Sequence, residues 1–134
     1  MGKPIARRDD VVVATDTHVV MVPTGGGPVP VPLPHVFNGR LDGALSTTVK
    51  ANGRAVATVD STASNTPPHL PTPPGASFQS PPSDRGTVVM GSMSVRVQGK
   101  PVARHADPVR TCNDPMDAPV GQVIVAAATV TVGG

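Results

Sequence analysis

Apolar residues alternate with small or polar ones along much of this chain, and no stretch keeps the three-and-four spacing of a helix. The clearest runs are Ser46-Thr47-Thr48-Val49-Lys50-Ala51-Asn52-Gly53 and Ser92-Met93-Ser94-Val95-Arg96-Val97-Gln98-Gly99. Alternation of period two predicts half-buried strands. The closing Asn-Gly and Gln-Gly predict tight hairpin turns, because glycine takes a positive φ without a Cβ clash. Thr129-Val130-Thr131-Val132-Gly133-Gly134 reads as the same strand again, cut off at its turn. The pattern predicts an all-β chain with little or no helix.

The strands belong to a repeated unit. Gly2-Lys3-Pro4-Ile5-Ala6-Arg7 is followed by Asp10, and Gly99-Lys100-Pro101-Val102-Ala103-Arg104 by Asp107 at the same offset. Gly53-Arg54-Ala55-Val56-Ala57-Thr58, followed by Asp60, is a weaker copy. Repetition of a short unit in a small chain predicts a structure assembled from like pieces. Each piece is a strand, a glycine turn, a strand, and an acidic residue opening a loop. One domain over 1–134 is expected, with units at about 1–45, 46–86 and 87–134.

Between these hairpins the sequence suggests less regular chain. Thr15-Asp16-Thr17-His18 reads as a loop leading into Val19-Val20-Met21-Val22. Prolines on alternate positions from Pro28 to Pro34 predict an extended edge or a polyproline segment, since they cannot donate to a ladder. Residues 35–45 read as a loop, 61–86 as a long Ser/Thr/Asn/Pro loop, and 108–120 as a loop holding Cys112. A loop as long as 61–86 in a compact domain is usually functional.

Composition sharpens the picture. The 134 residues include 14 Gly and 17 Pro, no Trp or Tyr, and only Phe37 and Phe78 as aromatics. Aromatics supply much of the buried area of ordinary cores, so this core is expected to be thin and in need of a staple. Cys112 is the only cysteine, which rules out an internal disulfide and leaves a metal or a partner. The net charge is +2, with scattered basic residues and no aromatic platform, so nucleic-acid binding is not expected. Val11 to Ala14 is too short for a signal peptide or a membrane span. Export, if it occurs, is expected to use another route.

The four histidines and the cysteine are the candidate metal donors. His18, His69 and His105 each follow one repeat, and Cys112 lies seven residues beyond His105. Three imidazoles and a thiolate form a closed tetrahedral shell for Zn²⁺. His18, His69, His105 and Cys112 are therefore the candidate ligands, with His35 either supporting them or replacing one. Spacing alone leaves the alternative that these are surface or packing histidines.

The three copies, Pro-Ile-Ala-Arg, Ala-Val-Ala-Thr and Pro-Val-Ala-Arg, resemble the Pro-Ala-Ala-Arg repeat that names the PAAR family. Val95 to Asp107 matches the family unit nearly residue for residue, with Gln98 in place of Asn. The likeness implies a small conical β-structure with pseudo-threefold symmetry. One copy would cap the trimeric, VgrG-type spike of a contractile injection machine: a type VI secretion system, an extracellular contractile particle or a related phage tail. A zinc ion near the apex, held by three His and one Cys, would stiffen the point for piercing a target membrane; iron is a possible substitute. By position, the ligands carried over are His18, His69, His105 and Cys112. The resemblance also implies synthesis in the bacterial cytoplasm, assembly into the particle and delivery outside the cell.

The middle copy has lost Pro and Arg, and segments 23–45 and 61–86 exceed a minimal domain of this kind, which suggests a PAAR-like variant. Contacts to the spike are expected near Val88, Val89 and Met90 and near Val123, Ile124 and Val125. Arg7 and Arg104 are expected to pair with aspartates of neighbouring turns rather than bind a substrate. No enzymatic activity is expected, because no helix carries a His-Glu-x-x-His pair. The rival readings are a zinc-dependent hydrolase and a module bound through its proline-rich segment.

Overall fold

The computed structural model describes residues 2–134, and every regular element among them is a strand, as the alternation predicts. In chain order these are β1 (Lys3–Pro4), β2 (Val11–Val22), β3 (Val29–Gly43), β4 (Lys50–Ala51), β5 (Arg54–Ala55), β6 (Thr62–Asn65), β7 (Ser77–Phe78), β8 (Arg85–Val88), β9 (Arg96–Val97), β10 (Lys100–Pro101), β11 (Pro108–Thr111), β12 (Ala118–Ile124) and β13 (Thr131–Val132). They form two layers. One is a floor of three small two-stranded pieces; the other is a sheet ordered β12-β11-β8-β6-β3-β2, which closes on itself because β12 also pairs with β2. Closure covers the sheet edges over the paired part of β2, β3 and β12, where open edges would otherwise invite mispairing.

The floor is built from the repeats. The pairs β4–β5 and β9–β10 are hairpins turning at Asn52-Gly53 and Gln98-Gly99, all four at positive φ. The third piece joins the two ends of the chain: β1 pairs with β13, with Lys3 opposite Val132 and Pro4 opposite Thr131. The C-terminal run therefore supplies the strand that the first repeat lacks. The three pieces meet in a ring of main-chain hydrogen bonds. Ala6 N–H donates to Ala103 O (2.9 Å), Ala103 N–H to Ala57 O (3.0 Å), and Ala57 N–H to Ala6 O (2.9 Å). All three alanines are fully buried, and only a small side chain fits where three backbones converge. The ring gives one chain a pseudo-threefold axis.

The turn after each ring alanine also repeats. Its first N–H is capped by a side chain three residues on: Arg7 by Asp10 (2.8 Å), Thr58 by Ser61 (2.9 Å) and Arg104 by Asp107 (2.7 Å). Ser61, not Asp60, thus holds the capping place in the middle copy; Asp60 matches Asp9 and Ala106, all at positive φ. Arg7 and Arg104 pair with aspartates of their own turns, at 3.4 and 3.0 Å, not with those of neighbouring turns, because the capping carboxylate three residues on is already held beside each guanidinium.

Four segments read as loops contain strand: besides Thr15–His18 and residues 35–43, the stretch 61–86 holds β6, β7 and the start of β8, and 108–120 holds β11 and the start of β12, because pairing across the sheet overrides their turn-rich composition. The Thr15–His18 stretch is not a loop: β2 runs unbroken, paired residue for residue with β3 from Val11↔Arg40 to Val22↔Val29. For the same reason residues 35–43 are strand. Two inward-facing rows result, with Val12, Asp16, His18 and Val20 from β2 and His35, Phe37, Gly39 and Leu41 from β3. At Gly39 a Cβ would stand 2.5 Å from the Ser64 carbonyl, so β6 approaches as closely as it does only against glycine. The alternate prolines form an edge. Asn38 turns its N–H and C=O toward Asn65 and Thr66, and by strand periodicity Pro30, Pro32 and Pro34 turn their missing donors to that same outer side.

The core is thin, as the composition implies. It consists of Val, Ala, Phe37 and Leu41, and runs from the three ring alanines to Cys112. Val88, Val123 and Val125 belong to it and are buried, so of the expected contact residues only Val89, Met90 and Ile124 reach the surface. Val88 on β8 and Val123 on β12 have inward parity, and Val125 follows β12 directly. No helix is long and apolar enough to cross a membrane.

Candidate metal centre

Asp16, His18, His69 and Cys112 come together in the interior at the far side of the closed sheet. One donor atom from each lies within 4.8 Å of all the others, and all four residues are buried, so the group could hold a metal ion. Each side chain arrives differently. Asp16 and His18 share the inner face of β2, two residues apart. His69 comes from the segment after β6, where its N–H donates to Asp84 Oδ1 (2.8 Å). Cys112 is the residue immediately after β11. Its loop is tied to β2 by Thr17 N–H to Asn113 Oδ1 (2.7 Å), Val19 N–H to Asp114 Oδ2 (2.8 Å) and Asp114 N–H to Thr17 O (2.8 Å). Side chains thus take over the ladder where β12 no longer reaches.

His35 borders the same group. It stands directly across from Asp16 in the β2–β3 register. Its ring centroid is 5.6 Å from those of His18 and His69. His35 Nδ1 lies 3.0 Å from Leu33 O, and a carbonyl can only accept, so Nδ1 carries the proton and Nε2 the lone pair. That Nε2 and both ring nitrogens of His18 are buried with no hydrogen-bond partner among the described residues. Buried polar atoms are normally satisfied. A neutral imidazole has one lone pair, so His18 and His35 each bring one such nitrogen beside a thiol and a carboxylate, while the second His18 nitrogen carries the proton, with Nδ1 standing 3.5 Å from Asp114 Oδ2. That donor set lacks an acceptor of electron pairs, which is what a metal ion supplies. Phe78 closes one side, 5.7 Å from the His18 ring and 5.4 Å from that of His35. An open cleft of about 450 Å³ reaches His35 and His69 from the other.

The electrostatics fit a cation. Burial lowers the His35 pKa, the Leu33 carbonyl raises it, and His18 and His69 lower it further, so the imidazole stays neutral and able to ligate. Burial and the Asp16 charge push the Cys112 thiol up to about 12, against a smaller opposing effect of the Asp84 N–H. A metal ion would reverse that balance, because a coordinating thiol ionises.

His105 is not in this group. It occupies the position of Arg8 and Val59 in the other repeats, with its N–H on Pro4 O (2.9 Å) as theirs are on Ala55 O and Pro101 O. Its Nδ1 accepts the Val125 N–H at 3.0 Å. The repeat holds it in the floor, while β11 carries the chain away before Cys112 is reached; closeness in sequence to Cys112 does not put the two side chains together. The sequence reading missed Asp16, although the period-two spacing of Asp16 and His18 within an apolar run was the available signal.

No protein-family model, curated protein or solved structure matches the chain.

Proposed function

We propose that this chain is a PAAR-like tip that caps the trimeric, VgrG-type spike of a contractile injection machine. The observation that carries this reading is the pseudo-threefold floor. A single chain can meet a threefold partner equally on all sides only if it presents the same surface three times. Val49, Val95 and Val130 are equivalent in the repeats, each accepting the N–H of Val56, Val102 or Ile5 through its carbonyl. They are 40 %, 39 % and 40 % exposed, a symmetric apolar set suited to a symmetric partner. Met93, 90 % exposed, adds apolar surface on the same floor.

In this reading the buried donor set holds one zinc ion, with iron as the alternative, and stiffens the end that meets the target membrane. His18, His69 and Cys112 are ligands and His35 takes the role expected of His105; the orphaned His35 Nε2, which carries the lone pair, supports that exchange. Metal at such a site would lock β2, β3, the His69 segment and the Cys112 loop together where a thin core does little.

Native mass spectrometry of the chain mixed with a VgrG-type trimer tests the proposal. One chain per trimer is expected, with Val49→Asp, Val95→Asp and Val130→Asp each weakening the complex to a similar degree. No complex, or three chains per trimer, would overturn it.

A further inference from the structure

We propose that Asp16 is itself a metal ligand, so that this is a five-donor site of Asp16, His18, His35, His69 and Cys112. The inference rests on the metal reading above and specifies its chemistry: a divalent first-row ion that accepts more than four ligands.

Asp16 is fully buried. Its two oxygens have different tasks. Oδ1 accepts the Thr111 hydroxyl and, at 3.4 Å, the Asn113 amide. Oδ2 faces the donor group, where it accepts from the Cys112 thiol at 3.5 Å and lies in hydrogen-bond contact with His69 Nε2 at 2.8 Å. Anchoring one carboxylate oxygen and aiming the other is how neighbouring groups orient a ligating carboxylate. No lysine or arginine pairs with Asp16 among the described residues; its only ion-pair neighbour is His69. A buried carboxylate without a cation is costly. The anionic forms of Asp16 and Cys112 repel each other at this separation unless a cation stands between them. Carboxylate plus thiolate also balance a divalent ion, leaving a neutral interior with three neutral imidazoles. Carboxylate, imidazole and thiolate together suit Zn²⁺, Fe²⁺ or Co²⁺.

The alternative is that Asp16 only accepts a hydrogen bond from His69 and orients it. Co²⁺ distinguishes the two, because its visible bands are weak in five-coordination and intense in a tetrahedron. The full chain would be loaded with Co²⁺ as wild type and as Asp16→Asn. The expected result is a thiolate charge-transfer band with weak d–d bands in the wild type. Asp16→Asn should keep the thiolate band, intensify the d–d bands, and lose more than about 100-fold in affinity, beyond the roughly 10–100-fold of a merely orienting group. A tetrahedral wild-type spectrum that Asp16→Asn leaves unchanged would overturn the inference and leave the metal site standing. A wild type that takes up neither Co²⁺ nor Zn²⁺ would overturn the metal reading itself. If Asp16→Asn does not fold, X-ray absorption of the zinc-loaded wild type decides: five donors including oxygen support the inference, four of nitrogen and sulfur overturn it.

Discussion

The floor and the metal centre are made in opposite ways. The floor is repetition: three equivalent hairpins, three buried alanines and a ring of main-chain hydrogen bonds between 2.9 and 3.0 Å. Its specificity lies in the backbone, so side chains there can drift as far as the middle copy has. The metal centre has no internal symmetry. Asp16 and His18 come from β2, His69 from an irregular segment and Cys112 from a strand end, with His35 of β3 bordering them. Symmetry suits a surface that faces a partner, whereas a coordination sphere needs donors of different kinds brought in from wherever the fold can supply them.

Removing the metal should break the comparison most visibly. At zinc a thousandfold above Kd, binding adds about 4 kcal/mol, on the order of 10–15 °C in Tm for a domain of this size. Chelator should lower the wild-type Tm by that amount and leave Cys112→Ser unmoved, as read by scanning calorimetry. Overpacking the floor comes next. Ala57→Val adds two methyl groups where three backbones converge and should cost about 1–3 kcal/mol, while the metal content by mass spectrometry stays at the wild-type value.

Proton coupling sharpens the contrast. The Cys112 thiol, raised to about 12, is protonated at pH 7 in the metal-free chain. Zinc must expel that proton, so affinity should rise with pH, about tenfold per unit for each proton released. Calorimetry in two buffers of different ionisation enthalpy should find this release in the wild type and not in Cys112→Ser. The smallest effect is expected at His105. Its hydrogen bond to Val125 is a floor contact, so His105→Ala should cost about 0.5–1.5 kcal/mol and leave zinc stoichiometry unchanged, whereas His35→Ala should weaken zinc binding by at least about tenfold.

These two regions were not equally legible. Repeats, hairpin turns and the all-β class follow from local rules: period-two alternation, Asn-Gly and Gln-Gly at positive φ, alanine at each point of convergence. Thr129–Val132 reads as one more copy of the strand, but its pairing with β1 is visible only in the structure. Long strands with polar residues facing inward are harder. Asp16, His18 and His35 look like loop residues until β2 and β3 are seen paired along their whole length.

The sequence by itself determined the class of fold, the threefold repetition, the thin core and the kinds of donor available. It did so because propensity, periodicity and composition act over a few residues. Tertiary structure alone decided which donors meet. The β2–β3 register set Asp16 opposite His35, the Asn113 and Asp114 side chains fastened the Cys112 loop beside His18, and the repeat kept His105 in the floor. Those outcomes depend on contacts between residues tens of positions apart, which spacing along a chain does not encode.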